Sequence, residues 1–230
     1  MDIARWFLGE ESLPPRVFSF GGRLGYVDDG QTPNTLAAWF DYAKAPLVFE
    51  VRGLPARPGT TQMDAMLGTS IGVIVQCEGG TVVVPATYTS AQALDKDGKV
   101  VKEFTGGIGQ MQNFLTAVHN RKTSDLCAPI TEGHLSSSLA HLANISYRIG
   151  KTQTPDALRE QIKANAVLTE AYGRVSTHLA TNNVDLEKTP LTLGAPLEFD
   201  AKTESFPGNA TANALLTREY RKPFVVPEKV

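Results

Sequence analysis

Residues 35–54 read TLAAWFDYAKAPLVFEVRGL. Two apolar and aromatic runs, 35–43 and 46–54, are separated only by a short turn. Strands joined so tightly pair antiparallel, because a parallel crossover needs about a dozen residues or more. The pattern recurs on either side. RVFSF (16–20) alternates. IGVIVQC (71–77) and TVVVPATY (81–88) are β-branched runs around Glu78-Gly79-Gly80, a hairpin signal. AQALD (91–95) and KVVKEF (99–104) flank Lys96-Asp97-Gly98, a second one. Strands that follow one another without helices argue against a βαβ winding. TLAAWF and VIVQC carry apolar residues on both alternating sets, as strands with two covered faces do.

The spacing changes after residue 105. Ile108, Met111, Leu115 and Val118 step at helical intervals. A longer helix is expected over 132–150, with Leu135, Leu139, Leu142 and Ile149 as its apolar stripe and Gly150 as its stop. Thr154-Pro155-Asp156 is a helix start: a cap, a proline at the first position, then an acid at the positive end. Leu168, Ala171, Tyr172, Val175 and Leu179 continue the pattern. PLEFD (196–200) reads as a strand, followed by a last helix near 209–219 and the tail KPFVVPE. At the other end, MDIARWFLG is a helix with Ile3, Trp6 and Phe7 on one face and Gly9 to end it. The expected fold is α+β: a large, mostly antiparallel open sheet with helices packed on one face, followed by a helical C-terminal extension. Residues 1–230 form one domain, 1–105 mainly strands and 106–230 mainly helices. The uncovered sheet face is then a natural dimer surface.

Composition narrows the function. The 230 residues carry a formal net charge of -2, with a pI near 6.1. That gives no electrostatic footprint for nucleic acid or anionic lipid. No apolar run of about 18 residues is present, so no membrane span is expected. No basic leader opens the chain, and a cytoplasmic location is expected if it is the whole product. Cys77 and Cys127 lie far apart and read as buried thiols, with no disulfide framework or zinc spacing; no metal is expected.

Three groups of residues could carry chemistry. Gly21-Gly22-Arg23-Leu24-Gly25 and Gly106-Gly107-Ile108-Gly109 lack the G-x-G-x-x-G spacing and a strand–loop–helix setting, so they read as turns or bulges. No cofactor site is expected in this chain. In GHLSSSLAHLANISYRIG (133–150), His134, His141 and Arg148 recur every seven residues as a polar stripe. Two of them stand about 10 Å apart, too far to share a metal. The stripe either bonds to backbone or lines a substrate cleft. The loop GRLGYVDDGQTPNT (22–35) suits side-chain-supported turns. Its Arg23, Tyr26, Asp28 and Asp29 could instead hydrogen-bond the hydroxyls of a sugar-like ligand, or serve a glycoside hydrolase.

Several segments together resemble a known family. MDIARWFLG, GGRLGYVDDGQTPNT, LVFEVRGL, NFLTAVHNRK, EGHLSSSLAHLANISYRIG and ANALLTREYRKPFVVPE, in this order, resemble the C-terminal α/β domain of the bacterial Gfo/Idh/MocA oxidoreductases. The resemblance implies an N-terminal Rossmann domain for NAD or NADP, with a catalytic lysine, and a catalytic histidine falling shortly before Met1. This chain would then be the substrate-side and dimerisation half, acting on a sugar, polyol or related hydroxy compound. Arg5, Arg23, Asp28 and His134 are the positions that the resemblance turns toward the interdomain cleft; Tyr26, Asp29 and His141 join them from the residue reading. Gln110 and His119 depart from the family pattern, which has a histidine and an arginine there. The competing reading is a stand-alone, non-enzymatic sugar-binding or oligomerisation module.

Overall fold

A computed structural model describes residues 1–87, 89–107 and 109–227. The expected contributions of Tyr88, Ile108 and Glu228 lie outside the described residues. A six-stranded antiparallel sheet forms the body. It contains β1 (Arg16–Gly22), β2 (Thr35–Phe40), β3 (Leu47–Arg52), β8 (Lys151–Thr152), β9 (Thr192–Leu193) and β10 (Leu197–Glu198). The strand order is β3-β2-β1-β9-β8, and β10 also pairs with β1. Residues 192–198 thus run along one edge of β1, with Phe20 opposite Leu193 and Val17 opposite Leu197. Between these pairs, Gly194 N–H donates to the Ser19 carbonyl at 2.8 Å. The other edge pairs with β2 over its full length, Val17 opposite Phe40 and Gly22 opposite Thr35. Gly21 must be glycine: a Cβ there would stand 2.3 Å from the Thr35 carbonyl oxygen.

Alternation along these strands feeds two cores. Val17, Leu36, Ala38, Phe40 and Leu47 pack with Leu135, Leu139 and Leu142 of α3 (Ile130–Arg148). Phe20 and Ala37 face the other way. They pack with Leu158 and Ile162 of α4 (Pro155–Ile162) and with Leu168, Ala171, Tyr172, Val175 and Leu179 of α5 (Ala166–Thr181). The α+β class and the open antiparallel sheet are as expected, but the helices cover both faces of the larger sheet instead of one. The physical reason is visible in Leu36-Ala37-Ala38, three consecutive buried residues that alternate between the two cores.

The remaining strands form a second sheet. β4 (Gly72–Cys77), β5 (Gly80–Pro85), β6 (Ser90–Leu94) and β7 (Val100–Thr105) make an antiparallel meander, with both expected hairpins in place. Val83 and Val84 are buried within it, whereas β7 is exposed along its whole length. Helix α2 (Gln110–Asn120) follows, and its Met111, Phe114, Leu115 and Val118 are exposed.

Local signals act as read. Thr154 Oγ1 accepts from Ala157 N–H at 3.3 Å with Pro155 at the first helical position; the further helix start at Asn165, whose Oδ1 accepts from Leu168 N–H at 3.1 Å, was not expected. Gly9 closes α1 (Asp2–Leu8) in the left-handed region at φ 71°. Four expectations are corrected. In α1 the residue taken into the core is Arg5, while Trp6 and Phe7 are about half-exposed. The last helix is only α6 (Ala210–Asn213), because the Asn213 side chain turns back to bond both Phe206 N–H and Phe206 C=O at 2.8 Å. The 196–200 strand shortens to two residues. Cys77 and Cys127 are exposed free thiols, Cys77 closing a strand of the thinly covered sheet and Cys127 in a loop.

Two covered faces make a thermodynamic prediction. Leu139 and Leu179 are both fully buried, on opposite sides of the sheet. Leu139→Ala and Leu179→Ala are each expected to cost about 2–5 kcal/mol, read from urea unfolding midpoints. A near-neutral result for either would mean that its face is not packed.

Candidate functional site

The seven residues expected to face a substrate are spread over three places. Arg5 is wholly buried between α1 and α3. Its guanidinium donates to the Glu10 carbonyl at 2.8 Å and to the Glu132 carboxylate, which also accepts Trp6 Nε1–H at 2.7 Å. The Trp6 and Arg5 hydrogen bonds together hold the Glu132 carboxyl below its ordinary value. Arg5 is thus a joint between two helices, not a ligand-facing group.

Arg23, Tyr26, Asp28 and Asp29 lie in the β1–β2 loop. Arg23 donates to both Asp28 carboxylate oxygens and to the Thr32 carbonyl at 2.8 Å, and its guanidinium lies 5.5 Å from the centre of the Tyr26 ring. Gly30 N–H donates to Asp28 Oδ1 at 3.1 Å. Asn34 clips the loop shut, accepting from Leu24 N–H at 3.0 Å and donating to Leu24 C=O at 2.8 Å. The Arg23 hydrogen bond keeps the Asp28 carboxyl below its ordinary value. A carboxylate so committed is a poor proton donor, which removes support from a glycosidase pair with Asp29. Asp29 and Tyr26 remain exposed.

His134 and His141 lie on the solvent face of α3. His134 Nε2 is 2.6 Å from Glu204 Oε1, a contact that ties α3 to the turn before α6.

A different set of residues converges at the sheet's β3 edge. Val48, Glu50 and Arg52 of β3 face α5, since Leu47, Phe49 and Val51 turn toward the α3 core. On α5, Glu170, Arg174, Thr177, His178 and Thr181 follow at helical spacing beside the apolar stripe. Arg174 Nε donates to Glu50 Oε1 at 2.9 Å, and Glu50 also accepts from Arg52. Arg52 Nε donates to Asp64 Oδ2 at 2.7 Å, and His178 Nδ1 stands 3.3 Å from that same oxygen. Asn182 Nδ2 donates to Pro55 C=O at 2.9 Å and to His178 C=O at 3.0 Å. Segment 55–66 is thereby strapped against α5. Between them lies a recess of about 570 Å³, in the range of small-molecule sites.

The chemistry of this network follows from its partners. Glu50 sits between two guanidinium groups, and Asp64 between a guanidinium and an imidazole. The His178 side chain is 2% exposed, and its Nε2 is enclosed with no hydrogen-bond partner among the described residues. Burial pushes this imidazole below its ordinary value; Asp64 opposes that shift and Arg52 adds to it. A neutral ring with Nδ1–H toward Asp64 leaves Nε2 unprotonated. None of these residues was singled out from sequence. The available signal was His178 on an apolar helix stripe, three residues after Val175, together with Glu50 and Arg52 inside an apolar strand.

No model of a known protein family matches the chain, and no curated protein matches it.

His178 sets a pH dependence. Its folded value lies below the unfolded value of about 6.5, so the folded form disfavours the bound proton. Its contribution to stability is full above about pH 6.5 and is lost as pH falls through that value. The depressed carboxyls, Asp28, Glu132, Asp185 and Asp200, act lower, below about pH 4. The urea midpoint should therefore fall between pH 7.5 and 5.5 in the native chain and fall less in His178→Leu. An equal fall in both would remove His178 as the cause.

Proposed function

We propose that this chain is the substrate-side and assembly domain of an NAD(P)-dependent oxidoreductase acting on a sugar, polyol or related hydroxy compound. The observation that carries the reading is the joint between two segments that resemble the Gfo/Idh/MocA C-terminal domain. MDIARWFLG supplies Arg5 and Trp6, EGHLSSSLAHLANISYRIG supplies Glu132, and the three side chains meet although more than a hundred residues separate them. A third such segment, LVFEVRGL, is β3, and a fourth is the self-bonded loop between β1 and β2. Segments that are family-like in order also cohere in space around one sheet.

Neither glycine cluster has the setting of a dinucleotide-binding loop. Gly21 and Gly22 lie inside a paired strand, where the Gly21 Cβ position already meets the Thr35 carbonyl. Gly106 and Gly107 follow the exposed edge strand β7, not a strand of a parallel unit. In this division of labour a nucleotide-binding domain holds the nicotinamide, which accepts the hydride. This chain orients the hydroxyl-bearing carbon by hydrogen bonding.

The assembly part of the proposal rests on exposed apolar surface. Both faces of the larger sheet are covered, so the dimer surface moves to the second sheet and α2, where Met111, Phe114, Leu115, Val118, Val101 and Phe104 are exposed. A stand-alone sugar-binding module is the second reading, favoured by the recess beside β3.

Two measurements test this. The reading frame upstream of the Met1 codon should encode a nucleotide-binding domain with a histidine shortly before Met1, and residues 1–230 alone should give no saturable NADH fluorescence change. A stop codon with its own ribosome-binding site there overturns the oxidoreductase assignment, and micromolar NADH binding by these residues overturns the division of labour that leaves the coenzyme to another domain. Sedimentation should show self-association that Phe114→Glu abolishes; a monomer at every concentration refutes the assembly role.

A further inference from the structure

Segment 55–66 is a small hairpin of its own. Pro55 pairs antiparallel with Met63, and Ala56 N–H donates to Gln62 C=O at 2.7 Å. Thr60 closes the turn between them: its N–H and its hydroxyl both donate to the Arg57 carbonyl, at 3.2 and 2.9 Å. No side chain from 55 to 66 is buried, and the last apolar anchor before the hairpin is Leu54, in the core shared with α5. Among the described residues, two polar ties hold the hairpin to the body. Asn182 Nδ2 donates to Pro55 C=O at 2.9 Å; Asp64 Oδ2 meets Arg52 Nε at 2.7 Å and His178 Nδ1 at 3.3 Å. A piece that is closed on itself and buries no side chain opens cheaply once a polar tie is lost. The recess of about 570 Å³ lies behind it, against α5.

We propose that segment 55–66 is a flap over this recess, released from α5 when His178 takes up a proton, with the Asp64–His178 contact as its catch. In the closed form the neutral ring turns Nδ1–H to Asp64. An added proton goes to Nε2, which is enclosed and has no acceptor among the described residues. The charges around the ring are already committed. Asp64 of the segment favours the cation, whereas Arg52 of β3 opposes it. Arg174 of α5 adds a second guanidinium to the network, Glu50 of β3 is shared by both, and Glu170 of α5 is mostly exposed. The closed form therefore disfavours the proton, and the open form, with the ring in water, takes it at its ordinary value; acid shifts the balance toward opening. The inference concerns access to the recess and rests on neither reading of what the chain does, so it fails separately from both.

Distances between nitroxide labels test it. Gln62→Cys on the hairpin and Ala180→Cys on α5 take the labels, in a full chain whose exposed Cys77 and Cys127 are replaced by serine. Both label positions are exposed and lie outside the recess lining. Pulsed dipolar spectroscopy should give one distance at pH 7.5 and a second, longer one at pH 5.0, above the range near about pH 4 where ordinary carboxylates titrate. Below about pH 6.5 the open-to-closed ratio should rise by up to about tenfold per pH unit. Asp64→Ala should show the longer distance at both values, and His178→Leu only the shorter. In the chain with His178 in place, opening should follow the titration of the His178 ring nitrogens by NMR, and not that of His119, His134 or His141; this decides the matter even if His178→Leu fails to fold. The proposal falls if the distance does not change with pH, if His178→Leu opens as much, if Asp64→Ala stays closed, or if opening tracks another histidine. Loss of the helical circular-dichroism signal in step with the longer distance would make the change unfolding and equally end the proposal.

Discussion

Strand β1 is bonded along both edges and covered on both faces, and the rest of the body is arranged around that constraint. One edge takes β2 in full register; the other takes residues 192–198, which the chain returns some 170 positions later. A buried strand cannot leave its N–H and C=O groups unpaired without losing about the worth of a hydrogen bond at each. The C-terminal third is therefore part of the sheet and not an appendage. Ser19 shows how closely the layers meet: its hydroxyl donates to the Ala143 carbonyl of α3 at 3.0 Å from a wholly buried position. Ser146, also buried, donates to the Ala195 carbonyl at 2.7 Å, tying the same helix to the returning segment.

Charge is placed where this packing ends. At the α1–α3 joint, one carboxylate, Glu132, accepts from a buried guanidinium and an indole N–H together, while Arg5 Nε has no partner among the described residues. At the β3 edge, Glu50 and Asp64 do the same for Arg52, Arg174 and His178. Networks of this kind cost desolvation and return it only when nearly every member is bonded. The first joins two helices and serves cohesion. The second borders a recess. The adjoining recess, not a difference in residue type, separates a structural joint from a candidate binding site here.

Much of the fold was legible because its signals are local. Hairpin glycines, the Thr154-Pro155 start and the stripe from Leu168 to Leu179 each act through neighbours within a few residues. The strands β8, β9 and β10 were not legible, or only in part, because two residues carry no periodicity. The site was harder still. Arg23 and Asp28 are close in sequence and look like a ligand pair, yet they bond each other. Glu50 and Arg174 are 124 positions apart and give no sign of meeting.

The sequence by itself determined the α+β class, the antiparallel hairpins, the end of α1 at Gly9 and the start of α4 at Thr154-Pro155, since backbone sterics and side-chain period act at short range. Only the tertiary structure decided that helices cover both faces of the sheet, that Arg5 lies inside and that His178 joins Asp64. Those outcomes depend on which distant surfaces come together to exclude water, and burial of that kind has no fixed spacing along the chain.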